Sequence, residues 1–259
     1  MGILDSFSLK GKVAIVTGGA GLYGRQVVEA VAEAGATTVT ASRNLEALEK
    51  VVEGLRARGL DVHADRVDQA DEQSVRGLVE RTIDKHGQID ILVNNAVLRP
   101  LKAGSTDIEG FRKSMEVNAV GLYIITELVS AHMKQRKQGS IVMVGSIHGM
   151  IGVDMTLYEG LSITGLYPDY FFHKGGMVNY TRWLAGALGG YNIRVNCVSP
   201  GGFLSGQPEE FIRRYSARTM LGRMANDEDL KGAIVFLASD AAAYITGTNL
   251  PVDAGYTAK

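Results

Sequence analysis

The stretch "VAIVTGGAGLYGRQVVEAVAEAG", residues 13 to 35, decides the fold. An apolar β-branched run, a glycine-rich turn and a helix-period segment follow one another, and in that order the turn reads as a phosphate cradle. Gly19, Gly21 and Gly24 satisfy the G-x-G-x-x-G spacing, with Gly18 ahead of them and Leu22 between the last two. Positions without side chains let backbone amides approach a pyrophosphate, and the helix that follows directs its positive end at it. The alternative is a tight strand-to-helix turn that binds nothing.

The same alternation continues along the chain. Strands are predicted at 13–18, 37–41, 61–67, 89–95, 140–146, 193–199 and 249–253, with helix-period stretches between them. In "NLEALEKVVEGLRARG", Leu45, Leu48, Val52 and Leu55 share one face, and Gly59 suits the C-terminal cap. "DEQSVRGLVERTIDKHG" places Val75, Leu78, Val79 and Ile83 in the same way. This pattern predicts an α/β fold: a Rossmann-like, doubly wound parallel sheet in three α/β/α layers, forming one domain over residues 1–259. The least regular stretches, 147–168 and 202–220, are expected to be substrate loops.

Composition narrows the partners. Lys+Arg of 27 against Asp+Glu of 28 gives a net charge of −1, and "KQRK" at 134–137 is the one short basic run, so nucleic acid is not an expected partner. No stretch is apolar for long enough to span a bilayer, and the N-terminus lacks a secretory pattern, so no membrane partner and a cytoplasmic location are expected. The single cysteine, Cys197, reads as a buried small apolar residue in a reducing compartment. No metal site is expected.

Dinucleotide selectivity is commonly written at the end of the second strand, where a carboxylate grips the ribose hydroxyls of NAD. Here "TVTASRN" offers Ser42 and Arg43 instead, which favours NADP and leaves NAD possible. The alternative for Arg43 is a solvated residue ahead of the second helix.

Further on come "NNAV", "VNAVG", "GSIHG", "YFFHK", "IRVNCVSPGG" and "YITGTNLPVDAG", in that order. Together they resemble the short-chain dehydrogenase/reductase family over essentially the whole chain, in its single-domain branch and near its sugar- and polyol-type members. The resemblance implies a catalytic set of Asn118, Ser146, Tyr170 and Lys174, with Asn118 interrupting a long helix and holding a water in a proton relay. Physical chemistry supports part of this directly. A four-residue step puts Tyr170 and Lys174 on one helix face, and an ammonium beside a phenol favours phenolate. Ser146, at a strand end, can hydrogen-bond the reacting oxygen.

For the cofactor, the resemblance carries over to Gly18, Gly19, Gly21, Leu22, Gly24, Ser42, Arg43, Asp68, Gln69, Asn95, Ala96, Tyr170, Lys174, Gly201 and Phe203. Asp68 has its own rationale as an acceptor for the adenine amino group; the alternative is a helix N-cap for the segment near Asp71. The implied activity is NAD(P)-dependent interconversion of a secondary alcohol and a ketone on a small molecule, a polyol, sugar or sugar acid. Two alternatives stand beside it: reduction of a 3-oxoacyl-(acyl-carrier-protein), with Arg99 and Lys102 as a docking patch, and a non-catalytic dinucleotide-binding regulator. Family members usually form homotetramers, and "GLYIITELV" and "GGMVNYTRWLAGAL" suit such faces, or a homodimer; burial within one subunit explains them equally well.

Three departures carry information. The spacing T-G-x-x-G-x-x-G matches the extended branch of the family, but little chain remains after residue 200 for its second domain. Val97 stands where the family has glycine, which predicts a tighter wall. Ser146 and Tyr170 are 24 positions apart, about ten more than is typical, so the inserted residues are expected over the substrate pocket. His148, Tyr158, Glu159 and Tyr167 are candidate substrate contacts there, joined by Gln207, Arg213, Arg214 and Tyr215 from "SGQPEEFIRRYSART". For Tyr158 and Glu159 the alternative is anchoring of the insertion; for the arginines it is a solvated or subunit-contact role.

Overall fold

In the computed structural model, residues 2–101, 106–163 and 167–258 are described. Seven strands form one parallel sheet: β1 (Val13–Thr17), β2 (Thr37–Ser42), β3 (Val62–Arg66), β4 (Ile91–Asn94), β5 (Gly139–Val144), β6 (Ile193–Pro200) and β7 (Asn249–Val252). Their order across the sheet is β3-β2-β1-β4-β5-β6-β7. Each matches a stretch expected from sequence to within two residues at either end: β2 and β6 run one residue longer than expected, β5 is shifted toward its N-terminus, and the others are trimmed.

The helices are α1 (Leu22–Glu33), α2 (Leu45–Arg56), α3 (Glu72–His86), α4 (Ile108–Met115), α5 (Leu122–Arg136), α6 (Pro168–Leu188), α7 (Glu209–Ser216) and α8 (Lys231–Ala238). Alternation within a strand sorts side chains to the two faces of the sheet. Ile15 joins Leu78 of α3, Ile125 of α5 and Met177 of α6. Its neighbours Ala14 and Val16 join Val27 of α1, Val52 of α2 and Ile234 of α8. Three α/β/α layers result, and β1 is buried along its whole length, as a strand covered on both faces must be. Cys197 is fully buried in the first of these cores.

The helix ends follow local chemistry. Asn44 and Asp71 accept from the backbone N–H of Ala47 and Gln73, capping α2 and α3. Gly87 closes α3 in the left-handed region, at φ 77°. Gly59 does not cap α2 directly: the helix ends at Arg56 with Ala57 as its cap, and Gly59 turns the chain just beyond.

Because β4 follows β1 across the sheet, successive connections diverge there and open a crevice at the C-terminal edge. The turn after β1, the segment after β4 and the end of β5 all meet at it. The expected loop 202–220 contains α7, and the expected loop 147–168 holds two short 3₁₀ turns, Ile147–Gly149 and Met155–Leu157. The two stretches pack together through Leu157, Phe211 and Tyr215, joined by Met224, in a small third core.

Candidate active site

The crevice leads into a cavity of about 830 Å³. Gly18, Gly21, Leu22 and Gly24 form one end of its lining, and Ser42 and Arg43 stand beside them at the end of β2. Gly18 has φ 74°, and a Cβ there would lie 2.7 Å from the Ala96 Cα, so the turn needs glycine twice over. Asn95 locks the turn from β4: its Nδ2 donates to Thr17 O at 2.9 Å and to Gly18 O at 3.1 Å. Tyr23 adds a brace from α1, its hydroxyl donating to Gly201 O at 2.8 Å. Ala96, Gln69, Gly201 and Phe203 complete this end.

Two cofactor candidates sit apart from the cavity wall. Gly19 is buried against Thr40, so its role here is to let the turn lie on β2. Asp68 is not among the lining residues; its Oδ1 accepts from the Ala70 N–H, while Asp71 rather than Asp68 caps α3. A carboxylate two residues ahead of a free backbone N–H closes this local turn readily.

At the other end, β5 and α6 bring Ser146, Tyr170 and Lys174 to one wall. Pro168 at the first turn of α6 starts the helix just ahead of Tyr170. The turn after Ser146 lies hard against α6: a Cβ on Gly149 would come 2.6 Å from Lys174 O. The Lys174 ammonium, 3% exposed, donates to Val144 O at 2.5 Å and stands 5.9 Å from the centre of the Tyr170 ring. Burial alone would raise the Tyr170 phenol; Lys174, Arg99 and the Ser146 hydroxyl together outweigh it and hold the phenol below the ordinary tyrosine range. Burial lowers the Lys174 ammonium in turn.

Asn118 sits in a π-helical turn, Glu116–Gly121, between α4 and α5, so the long helix is interrupted at that residue. Its side chain clamps the segment after β4, with Oδ1 accepting from Leu98 N–H at 2.8 Å and Nδ2 donating to Leu98 O at 2.7 Å. Nδ2 also donates to Ser114 Oγ, which donates in turn to Asp169 Oδ2 at 2.5 Å. Asp169 is 1% exposed, immediately precedes Tyr170 and keeps Oδ1 without a partner among the described residues. Sequence reading passed over it, since a lone acidic residue at a helix start looks like a solvated one.

The insertion does reach the cavity. His148, Tyr158 and Ile163 line it, as do Gln207 and Tyr215 from the second stretch. Burial and then Arg99 push His148 down to about 4, so its ring is neutral at physiological pH. Gln207 is tied locally, donating to Phe203 O and accepting from Ser205 N–H, both at 2.7 Å. Tyr215 accepts from Gly202 N–H at 2.5 Å.

Glu159 stands exposed and outside the lining; what the structure uses is its backbone carbonyl, which accepts from Arg214 at 2.7 Å. Arg214 and Arg213 both pair with Glu210. Arg214 therefore latches α7 to the insertion, Arg213 pairs within α7, and neither lines the cavity. Tyr167 precedes α6 and is not a lining residue either, and Lys102 lies outside the described residues. No group of His, Cys, Asp and Glu among the described residues is arranged to hold a metal.

Arg99, expected only as part of a docking patch, also stands beside the catalytic candidates. Its guanidinium lies 4.7 Å above the Tyr170 ring, on the cavity wall. The signal available in the sequence was its position five residues after Asn94, but only the fold shows that this loop overhangs α6.

Comparison with known proteins agrees with this geometry. The profile of the family described as "Enoyl-(Acyl carrier protein) reductase" matches residues 21–257. The 3-oxoacyl-[acyl-carrier-protein] reductase FabG of Thermotoga maritima is 32% identical over 95% of this chain and 98% of its own length. Among solved structures, a short-chain type dehydrogenase/reductase from Mycobacterium marinum superimposes with a TM-score of 0.88 at 30% identity, covering 100% of both chains. A gluconate 5-dehydrogenase from Burkholderia cenocepacia, crystallised with NADP and tartrate, gives 0.87 at 28% identity, again over 100% of both chains.

Proposed function

The chain belongs to the short-chain dehydrogenase/reductase family, an oxidoreductase family whose members use NAD(P), and from that premise we propose that it interconverts a secondary alcohol and a ketone with NADP. The observation that carries this reading is the convergence of Ser146, Tyr170 and Lys174 on one wall of the cavity that the glycine turn opens.

A dinucleotide fits the residues present. The glycine turn Gly18–Gly24 lines the nucleotide end of the cavity, α1 starts there, and Arg43 stands at the end of β2 where a ribose 2′-phosphate would need a cation. Bound there, the nicotinamide supplies the hydride donor or acceptor. The remaining steps belong to the protein. Ser146 holds the substrate oxygen by a hydrogen bond, its own Oγ already oriented by the N–H of His148 at 3.1 Å. Tyr170 gives a proton to that oxygen during reduction and takes it during oxidation. Lys174 keeps the phenol acidic enough for both, and Asn118 fixes the Leu98–Arg99 segment over it.

A polyol, sugar or sugar acid suits this cavity, because His148 and Tyr158 present hydrogen-bonding groups on the wall built by the insertion. The gluconate dehydrogenase neighbour, crystallised with NADP and tartrate, supports the same class and the same nucleotide. The acyl-carrier relative favours a second reading, reduction of a 3-oxoacyl thioester. We also place the protein in the cytoplasm and assign it a homotetrameric or dimeric assembly. The exposed aromatic faces of α5 and α6 support the assembly: Trp183 is 61% exposed and stacks on Tyr180, with Tyr123 beside them. Turnover of a panel of polyols, sugars, sugar acids and acetoacetyl thioesters with NADP and NAD tests the whole reading. Efficient oxidation or reduction of a hydroxylated substrate with NADP is expected; thioester turnover alone, or none, refutes it.

A further inference from the structure

The substrate end of the cavity has an unanswered positive charge. Arg43, Arg99 and Lys174 line the cavity, and no Asp or Glu does among the described residues. Arg43 lies at the nucleotide end, and Lys174 is buried behind Tyr170 with Val144 O as its acceptor. Among the described residues Arg99 alone presents its charge at the substrate end. It is also held in place: both polar groups of the preceding residue, Leu98, are bonded to Asn118, and the Asn118–Ser114–Asp169 chain ties that clamp to the start of α6.

The Arg99 guanidinium, exposed on the cavity wall, stands 4.7 Å above the ring of the acid/base tyrosine within hydrogen-bond reach of its hydroxyl, and with no carboxylate of the described residues lining the cavity beside it, its remaining N–H groups offer a fork to a planar anion. We infer that Arg99 binds the carboxylate of a hydroxy acid or oxo acid and thereby sets which hydroxyl of that acid reaches Ser146 and Tyr170. His148 complements it. Its ring lines the same end, is neutral, and keeps a buried Nδ1 without a partner among the described residues, which suits a hydroxyl on the acid's chain. The inference rests on the oxidoreductase reading and narrows its substrate class to anions.

The test uses the full chain with NADP and a matched pair, D-gluconate and D-sorbitol, which differ in a terminal carboxylate. Arg99→Met should lower the gluconate-to-sorbitol ratio of kcat/KM about 100-fold, and Arg99→Lys, which keeps charge but loses the fork, about 10-fold. Arg99 also acts on the Tyr170 phenol, so both substrates should slow in common and recover together at alkaline pH; the ratio is free of that common loss. A ratio unchanged by Arg99→Met at every pH overturns the inference. Calorimetric titration of tartrate into the NADP-loaded protein separates the two claims. Tartrate binding that vanishes in Arg99→Met supports the anion site even where no substrate turns over, a result that would reject only the oxidoreductase reading. Equal tartrate binding by both proteins, or none by the wild type, overturns the anion site whatever the activity.

Discussion

Replacing Lys174 by methionine isolates the electrostatic part of the chemistry. The ammonium lies 5.9 Å from the centre of the Tyr170 ring. At an effective dielectric of about 20, a unit charge at that distance is worth about 2.8 kcal/mol, or about two pKa units. Burial would then go unopposed except by Arg99 and Ser146, so the phenol should move up by about that amount. In alcohol oxidation, where Tyr170 must accept the proton, the rising limb of kcat against pH should shift about two units toward alkaline pH. At a fixed pH below the limb, kcat should fall about 100-fold. Loss of the bond to Val144 O is offset by removal of a buried charge, so the urea midpoint should stay close to wild type. The assay is kcat at saturating dinucleotide and alcohol from about pH 6 to about pH 11, paired with ultraviolet titration of tyrosinate. A folded Lys174→Met whose limb stays in place would refute the claim that this ammonium governs the phenol.

Three further outcomes are expected. Arg43→Leu should lower kcat/KM for NADP by about 10- to 100-fold and leave NAD within about 3-fold, since one charge-assisted contact is removed; equal losses with both dinucleotides would contradict the assigned 2′-phosphate contact. Asp169→Ala should cost about 3 kcal/mol in chemical denaturation, because a buried carboxylate bonded to Ser114 is lost, whereas Asp169→Asn keeps an acceptor and should lose less; a wild-type midpoint for the alanine variant would count against the network. Burial, then Lys174 and Arg99, lower His173 from 6.5 to about 3, so the native state binds fewer protons than the unfolded chain below pH 6.5. The stability held by the neutral ring is complete above that pH and drains away at about 1.4 kcal/mol per unit as pH falls toward 3; His173→Leu should flatten unfolding free energy against pH by that slope, and an unchanged slope would refute it.

Much of this molecule is written locally. The five inner strands, β1, β2, β4, β5 and β6, announce themselves as short runs rich in β-branched residues because a parallel strand inside the sheet is buried on both faces, and the caps at Asn44 and Asp71 follow from side-chain chemistry one turn long. The glycine turn and the Tyr170–Lys174 step were legible for the same reason. What escaped depends on which loops meet. Glu159 and Arg214 look like substrate contacts by composition, yet the packing of α7 on the insertion turns one into a backbone acceptor and the other into a latch. Asp68, expected beside the adenine, has one carboxylate oxygen bonded to the N–H of Ala70 two residues on. For Arg99, nothing near it in sequence reveals that Asn118, nineteen positions later, pins its neighbour over Tyr170.

The most direct measurement is single-turnover transfer of deuterium from NADPH, labelled at the transferring carbon of its ring, to a ketose or oxo acid by wild type and Tyr170→Phe. We expect wild type to pass the label to the product carbon and the variant to do so about 10³-fold more slowly while binding the dinucleotide equally well. Equal transfer rates, or a wild-type protein that binds NADPH and transfers no label to any of the panel, would contradict hydride exchange at a Tyr170-based site.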